Sequence, residues 1–180
     1  MTSTSTDRRP SGLVTGSLIA ISFGTVFIMV NSGGLPAPWP LVIRVAGAIA
    51  AVVLLIAVFR KDRATTGGPP ARGFSDKWFR IILAAEVIAL FGGLYLINGV
   101  WGRPSLGVAW IATVVGIHFF GLARAWRMPL YHGLGAVMTV LGLAGFAIYA
   151  MDGSDAAIGL VAGVGSGVAL FGTVAVAIRK

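Results

Sequence analysis

The sequence predicts an all-α, polytopic membrane protein, a six-transmembrane-helix bundle with both ends in the cytoplasm. Three observations predict it. Six apolar stretches are each long enough to cross a bilayer, the connections between them alternate between rich and poor in positive charge, and tryptophans gather at the ends of the stretches. The chain is 57% hydrophobic and only 11% charged over 180 residues. Soluble domains carry roughly 25% charged residues, so water is not the main solvent here. About 20 apolar residues cross a hydrocarbon core of about 30 Å. Six such helices leave room for a tail and short connections, and none for a soluble domain.

Residues 1–12, Ser/Thr-rich with Arg8 and Arg9, are expected to be a disordered cytoplasmic tail. Residues 13–180 make the membrane domain, with spans at about 13–30, 41–59, 78–97, 106–123, 131–150 and 156–178. Glycine and proline break the chain after the first span, at Asn31-Ser-Gly-Gly-Leu-Pro-Ala-Pro-Trp-Pro40. A basic connection from Arg60 to Lys77 separates the second and third spans. Asn98-Gly-Val-Trp-Gly-Arg-Pro104 turns the chain after the third, and Arg124-Ala-Trp-Arg-Met-Pro129 after the fourth. Met151-Asp-Gly-Ser-Asp155 precedes the last span, which closes on Arg179 and Lys180. Arg8-Arg9 before an apolar run resembles a signal start. The run is longer than the 7–15 residues of a signal core and lacks an A-x-A cleavage site, so a retained span is expected.

Charge sets the orientation. The amino tail, the second and fourth connections and the carboxyl end hold Arg8, Arg9, Arg60, Lys61, Arg63, Arg72, Lys77, Arg80, Arg124, Arg127, Arg179 and Lys180. The other side holds only Arg44 and Arg103, which places the rich side in the cytoplasm. Trp39, Trp101 and Trp110 fall at or near outer ends and Trp78 and Trp126 at inner ends, the headgroup level that indole prefers. The net charge of +8 is accounted for by this topology signal, so the expected partner is the lipid bilayer and not nucleic acid. Arg exceeds Lys and Gly, Ala and Val dominate the apolar residues, which fits a bacterium with a GC-rich genome.

Few side chains can carry chemistry. Glu86 lies about eight residues beyond Trp78, on the order of 12 Å into the span. A carboxylate at that depth must be protonated, paired or wetted, so it is either a proton or cation site or a structural acid bonded to a neighbour. His118, about six residues before Arg124 on the next, oppositely running span, reaches roughly the same depth. The two can meet if their helix faces match, and would then titrate as a unit. Arg44, with Asn31, Asn98 and Arg103, either lines an outer vestibule or snorkels to the headgroups. Thr, Ser and other polar groups in the spans are sparse, which favours protons, small ions or apolar molecules over a bulky hydrophilic solute.

With no cysteine, thiol chemistry and disulfides are excluded. His118 and His132, the only histidines, lack a metal-ligand spacing, and no H-E-x-x-H, G-x-S-x-G or P-loop is present. No metal or other cofactor is expected, and the reading leans away from an enzyme. Gly159, Gly163 and Gly167 recur every four residues on the last span, and Gly12, Gly16, Ala20 and Gly24 on the first. Small residues so spaced let backbones approach, either within the chain or against a second copy or partner membrane protein.

The run Gly116-Ile-His-Phe-Phe-Gly-Leu-Ala-Arg-Ala-Trp-Arg-Met-Pro-Leu-Tyr131 resembles a segment of uncharacterised small multipass bacterial integral membrane proteins. Those run G-x-H-F-x-P-L-A, a basic residue, then P-L-Y; here Gly121 stands in place of the proline. The likeness covers less than a tenth of the chain and implies no activity, but marks His118 as a position of interest. Two functions are therefore expected from different classes: a small permease or channel-like protein with a protonatable site, or a non-catalytic subunit or scaffold associating through glycine-rich faces.

The absence of cysteine gives a direct check of orientation. Single Asp155→Cys and Lys180→Cys variants should react with a membrane-impermeant maleimide from opposite sides of sealed vesicles. Labelling of both from one side would overturn the layout.

Overall fold

The computed structural model describes residues 12–64 and 77–179, and every regular element in them is a helix. The expected tail at 1–12 lies outside the described residues except for Gly12, as does most of the basic connection. Six helices are long and apolar enough to cross a membrane. We label them α1 (Gly12–Asn31), α2 (Trp39–Ala64), α3 (Lys77–Val100), α4 (Leu106–Trp126), α5 (Pro129–Ala150) and α6 (Asp155–Arg179).

Helix ends follow local chemistry. Pro129 begins α5, where its missing N–H costs nothing. The Ser154 hydroxyl accepts from the Ala157 N–H at 3.2 Å and caps α6. Several boundaries differ from the sequence expectation: α4 runs on to Trp126, and α2 and α5 begin two residues early, at Trp39 and Pro129. α2 runs on to Ala64, because Arg60, Lys61 and Arg63 are good helix formers once the apolar run has ended. α3 continues past Ile97 as a π-helical segment, Leu96–Val100, in place of a turn starting at Asn98. A second π segment, Gly159–Val164, interrupts α6.

α6 is the hub of the bundle, packed on α1 and α5 and touching α2 and α4, while α4 and α5 form the most extensive pair. α3 leans mainly on α4, at the edge. A seven-residue repeat builds the α1–α2–α6 core: Val14, Ile21 and Ile28 meet Ala51 and Val58 and, from α6, Val164, Phe171 and Val174. Such spacing keeps one seam facing its partners along antiparallel or parallel helices. Phe27, Leu134, Met138 and Leu170 fill the space between α1, α5 and α6.

Glycine permits the closest approaches. A Cβ added at Gly167 would stand 2.7 Å from the Gly24 carbonyl, and one at Gly24 3.1 Å from the Gly167 carbonyl. Gly159 and Gly163 lie against Asn31, and Gly16 against the Tyr131 hydroxyl. The glycine stripe of α6 therefore packs on α1 within one chain and meets the α1 stripe at Gly24, while Gly16 faces α5. The α4–α5 seam is as tight: a Cβ at Gly135 would be 2.8 Å from the Gly116 carbonyl, and one at Gly142 2.7 Å from the Ala109 carbonyl. These positions were missed in the sequence because their 3- and 4-residue spacing alternates and Thr139 interrupts it.

The outward surface is apolar, with Val53, Ile88, Phe91, Val140 and Val168 all exposed. A water-soluble chain rarely exposes so continuous an apolar surface; it is compatible with contact to a lipid bilayer. Trp39, Trp78 and Trp101 are exposed near helix ends.

Gly142→Ala should destabilise the bundle by about 1–3 kcal/mol, since the methyl meets backbone that cannot move aside. Gly92→Ala, with nothing within 4 Å of its new methyl, should be neutral or slightly stabilising. Thermal unfolding of both variants in detergent checks the contrast.

Candidate functional site

The site lies in the α3–α4 seam, where two helices run antiparallel in one register. From one end to the other, Phe79 stacks on Trp126 at 5.7 Å between centroids, Ile82 packs over Gly121, Glu86 meets His118 and Gly93 faces Trp110. Each pair sums to nearly the same residue number, as an antiparallel seam requires.

Trp110 sets the depth of this seam. Its indole lies where a Cβ of residue 93 would be, and its Nε1–H donates to the Ala89 carbonyl at 3.0 Å. Trp110, expected from sequence at the headgroup level, thus has a partner inside the bundle. Any residue larger than glycine at position 93 would have to displace the Trp110 indole, and with it the bond to Ala89. Gly93 carried no signal in the sequence, because its partner sits on another helix.

One and two turns away, the Glu86 Oε2 lies 2.9 Å from the His118 Nδ1. Both side chains are nearly buried, His118 10% and Glu86 13% exposed. Glu86 is nine residues into α3, about 14 Å along the helix, and His118 eight residues from the end of α4, about 12 Å. Their depths match because one register sets both. The approach has hydrogen-bond length but is off-axis: Nδ1 is buried and has no partner in hydrogen-bond geometry. The His118 ring also meets Phe119 edge-on at 5.7 Å, and Phe119 leads to Tyr131 at 5.6 Å and Trp126 beyond it at 5.9 Å. An aromatic wall thus separates the pair from the nearer helix ends.

The four residues considered for an outer vestibule have different neighbours. The Arg44 Nε–H donates to the Met29 carbonyl at 3.0 Å and approaches the Ser32 hydroxyl at 3.2 Å. Its guanidinium therefore satisfies one carbonyl at the carboxyl end of α1, and its charge opposes the negative end of the helix dipole. The Asn31 amide donates to the Phe27 carbonyl at 2.8 Å and packs on the π segment of α6. Arg103 lies over the Tyr149 ring on α5, 5.7 Å from its centroid. Asn98 is exposed in the π segment of α3.

Among the described residues there is no group of three or more His, Cys, Asp or Glu side chains placed to hold a metal. The chemistry available at Glu86 and His118 is proton exchange between a carboxylate and an imidazole. No family model, curated protein or solved structure matches this chain.

Arg44→Ala should cost about 1–2 kcal/mol, a charged hydrogen bond weakened by its exposure at a helix end. Chemical denaturation in detergent would show it, and hydrogen exchange should rise at the carboxyl end of α1 before the rest of the bundle.

Proposed function

We propose that the protein is a small permease or channel-like protein of the cytoplasmic membrane, with both termini in the cytoplasm. Glu86 and His118 form its protonatable site. The observation that carries the proposal is the 2.9 Å approach of a carboxylate and an imidazole at matching depth in an otherwise apolar helix pair.

The physical argument is one of charge. A lone ionised carboxylate in hydrocarbon costs several kcal/mol. With one proton shared between them, Glu86 and His118 are neutral overall, whether as carboxylate with imidazolium or as acid with neutral imidazole. Adding or removing a proton leaves one net charge at mid-depth. That difference is what would couple a proton to a change of helix arrangement, or to a second species. The sparse polar groups support a small cargo. The hydroxyls of Thr25, Thr113 and Thr173 are engaged with their own helices, through the carbonyls of Ile21, Ala109 and Ala169. Beyond the buried Thr139 and Ser166 hydroxyls, little remains to line a path for a large hydrophilic solute.

The alternative, a subunit that binds partner helices through its glycine-rich faces, has weaker support. Those faces are engaged inside the chain, between α1 and α6 and between α4 and α5.

The test is a flux measurement in proteoliposomes under an imposed pH gradient. The wild-type protein should dissipate the gradient faster than empty vesicles, and Glu86→Gln and His118→Asn should slow it by roughly a hundredfold, the scale of losing a positioned proton-transfer group. Melting temperatures serve as the control for folding. Folded variants with the wild-type rate, or a wild type no faster than empty vesicles, would sink the proposal.

A further inference from the structure

At the junction of α4 and α5, Ala123, Arg124, Arg127, Pro129 and His132 line an open depression of about 530 Å³, within the range of roughly 300–1,000 Å³ common for small-ligand sites. We propose that it binds the phosphate group of an anionic membrane lipid. This rests on the reading that the helices cross a bilayer.

Charge comes first. The carboxyl end of α4 and the amino end of α5 meet here with opposite dipoles, so neither helix end decides the sign. The two guanidiniums do, and among the described residues no carboxylate lines the depression. Arg127 takes a left-handed backbone conformation, φ 54° and ψ 41°, which ends α4 and turns the chain directly into α5. Both arginines thereby flank one concavity. A guanidinium fork suits phosphate oxygens better than a point charge, because it can donate two parallel bonds. His132 adds a ring nitrogen.

The surroundings favour a lipid over a free anion. Ile117, Phe120 and Arg124 share one face of α4, at spacings of three and four. Ile117 is 57% and Phe120 37% exposed. Phe120 stands 5.9 Å from His132, so the apolar strip leads straight into the basic depression. On α5, His132, Ala136 and Val140 repeat the pattern at intervals of four, all exposed. A furrow that is cationic at its mouth and apolar below matches a headgroup phosphate with an acyl chain beneath it. Trp126 and Tyr131, 5.9 Å apart between ring centroids, belong to the same α4–α5 junction, and such rings favour the headgroup level. Basic pockets between spans on the cytoplasmic side are where anionic headgroups bind.

The experiment uses the full-length protein in nanodiscs of phosphatidylcholine with increasing phosphatidylglycerol, read by melting temperature and by native mass spectrometry of retained lipid. Anionic lipid should raise the melting temperature and remain bound. Arg124→Gln/Arg127→Gln should weaken apparent binding roughly thirtyfold, about fivefold for each arginine near the membrane surface. Arg127→Gln alone, the milder variant, should lose about fivefold even if the double variant folds poorly. Arg60→Gln/Arg63→Gln should retain binding; an equal loss there would mean general surface charge and overturn the site. Unchanged binding in the Arg124/Arg127 variants would overturn it too, as would inorganic phosphate reproducing the full stabilisation without lipid. Glu86→Gln should bind lipid normally, so failure of the permease reading and failure of this one are told apart.

Discussion

Close contact between helix backbones is the constraint on which this bundle depends. Where the medium around the helices is as apolar as the side chains between them, burial of leucine against leucine offers little advantage over leucine against lipid. Dispersion contacts and fit then decide which helices stay together. Gly24 against Gly167, and Gly116 against Gly135, bring carbonyl groups of neighbouring helices within reach of each other's Cα positions. The hydrophobic clusters grow around these points. Val14, Ile21 and Ile28 form a straight seam because α1 is already held tight to α6 by the glycines beside them.

The polar groups obey the same economy of space. Arg44 folds back on the Met29 carbonyl of α1, Trp110 gives its one N–H to a carbonyl of α3, and several threonine hydroxyls return to their own helices. Glu86 and His118 differ. Their approach is close, yet Nδ1 lacks an aligned partner. Thr139 and Ser166 hydroxyls are likewise buried without one. A fully satisfied network would be rigid, whereas an unsatisfied imidazole beside a carboxylate retains a way to rearrange.

Much of the fold was legible in the sequence. Hydropathy located all six helices, since a span of about 20 apolar residues is a strong, local signal. The ends were less legible. Arg60 to Arg63 look like a loop by charge but continue α2, and Asn98 and Gly99 look like a turn but lie in a π segment. The agreement in depth of Glu86 and His118 follows from counting residues along two antiparallel helices. Their facing does not, because it depends on the α3–α4 register, which Gly93 and Trp110 set from different parts of the chain. Arg44 and Asn31 sit close together at the carboxyl end of α1, whereas Arg103 has gone to Tyr149 on α5. Side-chain reach to a neighbour chosen by packing has no signature in a linear pattern.

The attachment of α3 has a thermodynamic meaning of its own. α6 is gripped from several sides, but in the most apolar window of α3 only 6% of residues are buried, and its docking relies mainly on α4. Opening free energies in such an assembly are uneven, and the lowest belongs to the element with the fewest neighbours. α3 is therefore the helix whose release from the bundle would cost least, and the Glu86–His118 contact lies in the one seam that such a release would open.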